Sequence, residues 1–588
     1  MNGITIKNSD WLFNCGILGL YNILKHNNID DSEDISLSQD ELTFPVSRLE
    51  NFEEKYFSYL IDIYEKTFSM YRITSFETFL RNHEETNFEN FNTASLEQLN
   101  FQIEQVKKYL KSNSYISAYK AIEFSPIEKE KKLKKVLLKK TETTSDKKSE
   151  VKIQVEILKE IVEFFKNEEV RKYIGGKNVM YSIIRNAWDN ISIMNPQNKN
   201  PDMYEEFKDY FIEPLKEYLR EVDSGELKTK YKCVSCNSKI KNLGIDLSFM
   251  REIGFDVSRK TSHIWDFNNY VAICPLCRLV YSCVPAGFTY LYHRGIFVNF
   301  SMNLKEIARI NGNIKREILD DSESQTVIYR ALQKEMDKKI NETPSYELSD
   351  VQVVRFCHDS NKGKVSYTFN IITKSMLRTI QNCNNSFNRI RKGLFLGGNG
   401  KIYLYDEVMN RLMNNENQFL LIQKLMHYKL SMPDKAKYSM YMITDILKIN
   451  VEYLWEVGAM GKEDKDMIRT AKGHGFYLQK AYNEYVKKDD LGIQSGEVVK
   501  QEEYNKKLGS IAYRMLNALK TNNKYAFMDI MINAHMYVQK EIPGIFAENL
   551  ENDLEFKNIG YAFVTGMLGY VDAKKGNREG TEEDKNEK

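Results

Sequence analysis

The chain reads Cys233-Val234-Ser235-Cys236, then a long insert, then Cys274-Pro275-Leu276-Cys277, and these two short runs decide how its middle is built. Within each pair a two-residue gap lets the turn reverse the chain. Both sulfurs then face one side, and backbone N–H groups are freed toward the thiolates. Two such claws supply four sulfurs, the number that closes a tetrahedral shell around structural zinc. Cys233, Cys236, Cys274 and Cys277 are therefore expected to bind Zn2+. A closed all-cysteine shell staples a fold and leaves no open position for chemistry. Between the claws, Ile245, Leu247, Phe249, Ile253, Phe255 and Trp265 make the insert apolar enough to pack as a small subdomain. His263 in the same insert is a conceivable substitute ligand, but reads better as a surface or packed histidine.

Outward from the claws, the chain has too many residues, 588, for one core. A length prior suggests about three to four domains. The formal charge is +2, from 84 basic and 82 acidic side chains. Such a balance exerts no bulk pull on nucleic acid or an anionic membrane, so a nucleic-acid surface requires basic groups segregated onto one face. Cys15, Cys283, Cys357 and Cys383 lie scattered outside the claws. They read as buried small hydrophobes in a reducing cytoplasm rather than as a disulfide framework. The run from Met1 has no charged n-region and no cleavage site, which predicts no secretory signal, and no window is apolar for long enough to span a membrane.

The periodicity divides the chain into regions and predicts a multidomain α+β fold. Residues 1–225 read as mostly helical. A short strand at Gly3 to Lys7 leads into a helix from Trp11 to Leu24, capped by Ser9 or Asp10, with Gly16 and Gly19 leaving bare backbone for a close neighbour. A lysine-dense insertion at 129–152 interrupts this region. It reads either as a solvated, partly disordered excursion or as a segment that tracks phosphates. Residues 226–290 form the zinc-binding subdomain. Residues 291–405 carry hairpin signals, around His293-Arg294-Gly295 and Asp359 to Gly363, and a short strand at Ile402 to Tyr405. Residues 406–571 read as a helical bundle with loops at Lys462 to Asp466 and Lys487 to Ser495, and 572–588 as a disordered tail.

Catalytic patterns are mostly missing. His83-Glu84-Glu85 matches the start of a deaminase signature, but it lies far upstream of the claws, and the proline follows Cys274 instead of preceding it. His358-Asp359 has no partner at metal-site spacing and reads as a turn pair. Gly393 to Lys401 is glycine-rich, yet Phe395 and Ile402 stand where a P-loop needs glycine and a hydroxyl. That stretch, with Arg389, Arg391, Lys392, Asn399 and Lys401 around it, reads either as a loop for phosphate or base-edge contact or as an ordinary turn. Gly473-His474-Gly475 is too short to define a site. The chain is expected not to be an enzyme.

Three features together resemble a known family. They are Trp11-Leu12-Phe13-Asn14-Cys15-Gly16-Ile17-Leu18-Gly19, the two claws, and Cys283-Val284-Pro285-Ala286-Gly287-Phe288 just behind the second claw. The chain resembles the large subunit of type I-B CRISPR interference (Cascade) complexes, in the branch with paired C-x-x-C motifs. The resemblance implies a non-catalytic subunit that binds the 5′ end region of a guide RNA. It would recognise the protospacer-adjacent motif on double-stranded target DNA and aid strand opening. Its expected partners are the backbone and small subunits and a helicase–nuclease that it recruits. Sequence reading falls to base pairing in such a complex, so the protein needs only a local motif reader and backbone contacts. The C-terminal bundle resembles the separately encoded small subunit of other type I complexes, and an internal start near Met432, Met440 or Met442 would produce it alone. Two other readings stand beside this one: a stand-alone zinc-stapled nucleic-acid-binding protein, and a nuclease with an unrecognised active site.

Overall fold

Helix Trp11–His26 begins where the sequence places it. Asp10 Oδ1 accepts from the N–H groups of Leu12 (2.8 Å) and Phe13 (3.1 Å), which satisfies donors that a helix start leaves open. Nearly all of this helix is buried, from Leu12 through Leu20 without a break. It follows strand Gly3–Lys7, which pairs antiparallel with Glu41–Pro45, with Ser36–Leu37 on the far side. This computed structural model describes residues 3–26, 34–122, 125–139, 142–195, 202–227, 229–253, 271–291, 294–300, 303–320, 327–342, 351–359, 364–397, 400–461, 466–488 and 497–569. Expectations for Phe255, His263 and Trp265, for Asn399, for the tail, and for most of the two bundle loops lie outside them.

The chain divides into two compact units. One comprises Met1–Glu323 with Gln352–Phe369, the other Ser324–Val351 with Asn370–Lys588. The architecture is mixed α+β, mainly helical, with small sheets. In the first unit, strands Thr289–Leu291 and Arg294–Phe300 form the first expected hairpin, with Tyr290 opposite Gly295. They continue into a four-stranded sheet with Val351–Asp359 and Lys364–Ile371, the arms of the second.

A helical core spans residues 70–174, and the lysine-dense segment belongs to it. Leu133 and Val136 are buried there beside Leu99, Ile103 and Leu158. Asn100 holds the segment's backbone through Val136, accepting from its N–H at 2.8 Å and donating to its carbonyl at 2.9 Å. Its lysines are largely matched by acids. Lys129 pairs with Glu160, Lys135 with Glu104, and Lys147 with Glu150, while buried Glu130 takes Lys107 and Lys111 from a neighbouring helix. The described part of 129–152 is thus packed, and much of its charge is neutralised locally.

The second unit is a series of amphipathic helices. Helices Met467–Lys488 and Asp553–Met567 cross so closely that a Cβ on Gly475 would strike the Phe563 carbonyl, and one on Gly566 the Lys472 carbonyl. Gly475 and the two glycines of the last helix, Gly560 and Gly566, therefore serve packing, whereas a Cβ on Gly473 would meet nothing within 4 Å. One boundary differs from expectation. The short strand is Gly400–Tyr403, and Leu404–Met413 is already helix. Leu404, Tyr405, Val408, Met409 and Leu412 repeat at helical spacing and are all buried, and Asp406 and Glu407 in the first turn suit the helix dipole.

Candidate metal centre

Each claw is held by its own local structure. The first turns at the end of a narrow antiparallel bridge between Lys232 and Lys239. Cys233 N–H donates to Ser238 O (2.8 Å), Asn237 N–H to Cys233 O (2.9 Å) and Ile240 N–H to Tyr231 O (3.1 Å). Asn237 closes the turn in the left-handed region at φ 61, which asparagine tolerates better than most residues. The second claw opens helix Pro275–Ser282. Cys274 is the N-cap, and its Sγ accepts the Cys277 N–H at 3.4 Å. Pro275 sits in the first turn, where its missing N–H costs no helix bond. Val234 N–H donates to Ala272 O at 2.9 Å and ties the two claws together.

The four sulfurs converge. All lie within 4.8 Å of one another, and Cys236 Sγ is 3.6 Å from Cys274 Sγ. A tetrahedral shell with metal–sulfur bonds of about 2.3 Å has edges of about 3.8 Å, so the arrangement suits a metal. Cys233, Cys274 and Cys277 are buried, Cys236 is exposed, and all four are free thiols. Donation from the Cys233, Cys274 and Cys277 thiols holds the Cys236 pKa far below the usual thiol range. Cys277 is pushed the other way by contacts with Cys233, Cys236 and Cys274 and by burial. Four thiolates this close repel one another, and a divalent cation offsets that repulsion.

Behind the second claw the chain is clasped from several directions. The Ser282 carbonyl, at the end of the claw helix, accepts from Tyr56 OH (2.8 Å) and Trp188 Nε1 (3.0 Å). The Ala286 carbonyl, one short helix later, accepts from Lys315 Nζ (2.8 Å), Asn22 Nδ2 (3.3 Å) and Tyr59 OH (3.4 Å). Lys315 is buried, and desolvation holds its pKa below the usual lysine value. Tyr64 OH donates to Phe288 O at 3.3 Å. Helix Trp11–His26 presses its glycine face on the same segment. A Cβ on Gly16 would strike the Val280 carbonyl, one on Gly19 the Cys283 carbonyl, and one on Gly287 the Cys15 carbonyl. The bare face expected at Gly16 and Gly19 thus exists, and its neighbour is the Cys283 to Phe288 run. Of the four cysteines expected to be buried, Cys15 and Cys283 are, whereas Cys383 is half-buried and Cys357, on strand Val351–Asp359, is exposed.

The other sequence candidates sit elsewhere. His83 packs its ring against Phe79 and Phe91, at 4.6 and 5.1 Å between centroids. Around the glycine-rich stretch, strands Leu394–Gly397 and Gly400–Tyr403 form a hairpin, and Ala436–Lys437 joins its outer edge. Arg389 grips the buried carboxylate of Asp445 with two hydrogen bonds, Nη2 to Oδ1 at 2.6 Å and Nε to Oδ2 at 2.8 Å. Arg391 is half-buried with its guanidinium 5.7 Å from the Tyr405 ring centre, whereas Lys392 and Lys401 are exposed. Sequence reasoning missed Trp188, Ser282, Arg278 and Lys315. Of these, only Arg278 carried a local signal, standing next to Cys277; its guanidinium lies 3.5 Å from the Tyr210 ring centre.

Residues 226–289 match the model of a family described as CRISPR-associated protein (Cas_CXXC_CXXC). The matched segment contains both claws and the clasped run behind them. Over that segment the chain is similar to CRISPR-associated proteins. No curated protein and no solved structure matches the chain. Among the described residues no helix is long and apolar enough to cross a membrane.

Proposed function

We propose that this chain is the non-catalytic large subunit of a CRISPR RNA-guided DNA surveillance complex of the type I-B kind, with Zn2+ held by Cys233, Cys236, Cys274 and Cys277. The match over residues 226–289 carries the reading, because the run it ends on is the one gripped by Trp11–His26, Tyr56, Trp188 and Lys315. The zinc is structural in this reading. It locks the claw helix, whose far end anchors the N-terminal helix.

In the complex, the subunit binds the 5′ end region of the guide RNA, recognises the adjacent motif on duplex DNA, aids strand opening and recruits the helicase–nuclease. It needs little affinity of its own for DNA, because its partners raise its effective concentration at the target. The bundle in the second unit takes the small-subunit role. Co-expression with the neighbouring gene products tests the proposal. Recovery of a guide RNA with repeat-derived ends supports it, and failure to associate with any RNA-bearing complex sinks it. Tight DNA binding by the isolated chain together with that failure favours a stand-alone zinc-stapled nucleic-acid-binding protein.

A further inference from the structure

The chain is nearly neutral as a whole, but the first claw is not. Between Glu226 and Asp246 the sequence holds five lysines, at 228, 230, 232, 239 and 241, and no acidic residue. Lys232 and Lys239 are directly opposite each other in the antiparallel bridge that carries the claw. Residues so paired project from the same face, and like charges there repel, a local cost to folding. Lys230 lies two residues upstream of Lys232, at a bend that leads into the bridge. All three are exposed. Lys241 is different, since Glu221 and Glu217 hold its ammonium. Among the described residues no carboxylate pairs with Lys230, Lys232 or Lys239.

We propose that Lys230, Lys232 and Lys239 form a contact for the phosphate backbone of a nucleic acid, displayed on the metal-stapled turn. Three exposed ammonium groups without a carboxylate partner, two of them across the bridge and Lys230 at its entry with its ammonium 6.0 Å from the Tyr231 ring centre, match a run of phosphates, and a bound polyanion relieves the Lys232–Lys239 repulsion. The contact carries no sequence information; it positions the nucleic acid, as backbone contacts do. The inference rests on the nucleic-acid role proposed above and assigns part of it to a defined surface. A bland role also exists, since four thiolates around a divalent ion leave a net charge of −2 that nearby lysines offset. The two roles separate by experiment.

The test uses the full chain, zinc-loaded, with a labelled DNA duplex in one arm and a labelled single-stranded RNA in the other, titrated across salt concentrations. The variant is Lys230→Gln/Lys232→Gln/Lys239→Gln, and Lys241→Gln is the control. Each phosphate contact contributes about 0.9 to the slope of log affinity against log salt on duplex DNA and about 0.7 on a single strand. The triple variant should therefore flatten the slope by about 2.7 or about 2.1. On duplex, the affinity lost between 50 and 200 mM salt then becomes about 40-fold smaller. The arm that flattens identifies the strand type. Lys241→Gln should leave both slopes unchanged.

An unchanged slope in both arms overturns the proposal, as does a wild-type chain that binds neither probe at low salt. Loss of zinc in the triple variant with unchanged slopes assigns the lysines to charge compensation and also overturns it. Should the variant fail to fold, lysine acetylation footprinting of the wild type decides. Protection of Lys230, Lys232 and Lys239 by nucleic acid, with exposed Lys131 unprotected, is expected, and equal labelling with and without nucleic acid refutes the contact. None of these outcomes depends on partner subunits, so failure here is distinguishable from failure to recover a guide-RNA complex.

Discussion

Substituting Gly19 with alanine sets two known effects against each other, and the geometry says which wins. In an isolated helix, Gly→Ala is stabilising by about 0.8–1 kcal/mol through backbone entropy. In this protein the new methyl group would be driven into the Cys283 carbonyl, with the Cys283 carbon at 2.8 Å and the Gly287 nitrogen at 2.9 Å. These are backbone atoms, so no rotamer change makes room, and helix Trp11–His26 must move away from the run behind the claw. Overpacking of this kind costs about 1–3 kcal/mol, and a rigid obstacle puts Gly19→Ala at the upper end. The net expectation is destabilisation by about 1–2 kcal/mol, a fall in melting midpoint of about 1–3 °C for a unit of this size. Gly312 is the matched control. It lies in helix Leu304–Asp320 of the same unit, and a Cβ there meets nothing within 4 Å. Gly312→Ala should therefore raise the midpoint by about 1 °C. Gly287→Ala touches the same crossing from the other side, so Gly19→Ala/Gly287→Ala should cost less than the two singles added together. Thermal and denaturant unfolding measure all four variants. A Gly19→Ala protein as stable as Gly312→Ala, or more so, would show that the close approach does not exist.

Three further predictions concern the centre and its surroundings. Cys236→Ser or Cys277→Ser should lower zinc content, solubility and complex assembly, and mild acid should release the metal, because binding requires deprotonated thiols; normal zinc content and normal melting in both variants would refute the metal site. Lys315 has a folded pKa below its unfolded value of about 10.4, so the unfolded state binds more protons between those two values and stability should rise with pH there. Lys315→Met should remove that slope in urea melts run at a series of alkaline pH values, and an identical slope in the variant would count against a buried amine. Arg389→Ala should destabilise by about 1–3 kcal/mol, since it leaves the Asp445 carboxylate buried without its cation. Lys392→Ala and Lys401→Ala should leave melting unchanged, and equal melting of all three variants would contradict the pairing.

The claws were readable because a metal site writes its geometry into short spacing: two C-x-x-C turns need no knowledge of the rest of the chain. The helix from Trp11 and its bare glycine face were readable for the same reason, as periodicity is local. What could not be read was the partner of that face. Val280 and Cys283 lie far along the chain, and nothing in residues 11–26 names them. Arg389 illustrates the same limit. It stood among cations next to a glycine-rich turn, but its charge is taken up by Asp445, 56 residues on. The lysine-dense run at 129–152 looked solvated by composition. Its anchors, Leu133 and Val136, are two apolar residues among many charges, and the acids that neutralise it, such as Glu104 and Glu160, come from other helices.

The clasp also has a history in time. Cys15 and the Val284 carbonyl it touches are separated by 269 residues. At synthesis rates of about 5–20 residues per second, the ribosome needs roughly 15–50 s to make that length. For that period the glycine face of the newly made N-terminal helix has no partner, although helix Phe52–Tyr64, which it also contacts, is made much sooner. Such an interval invites chaperone capture or aggregation, and it makes arrival of the second claw the event that commits the first unit to its fold.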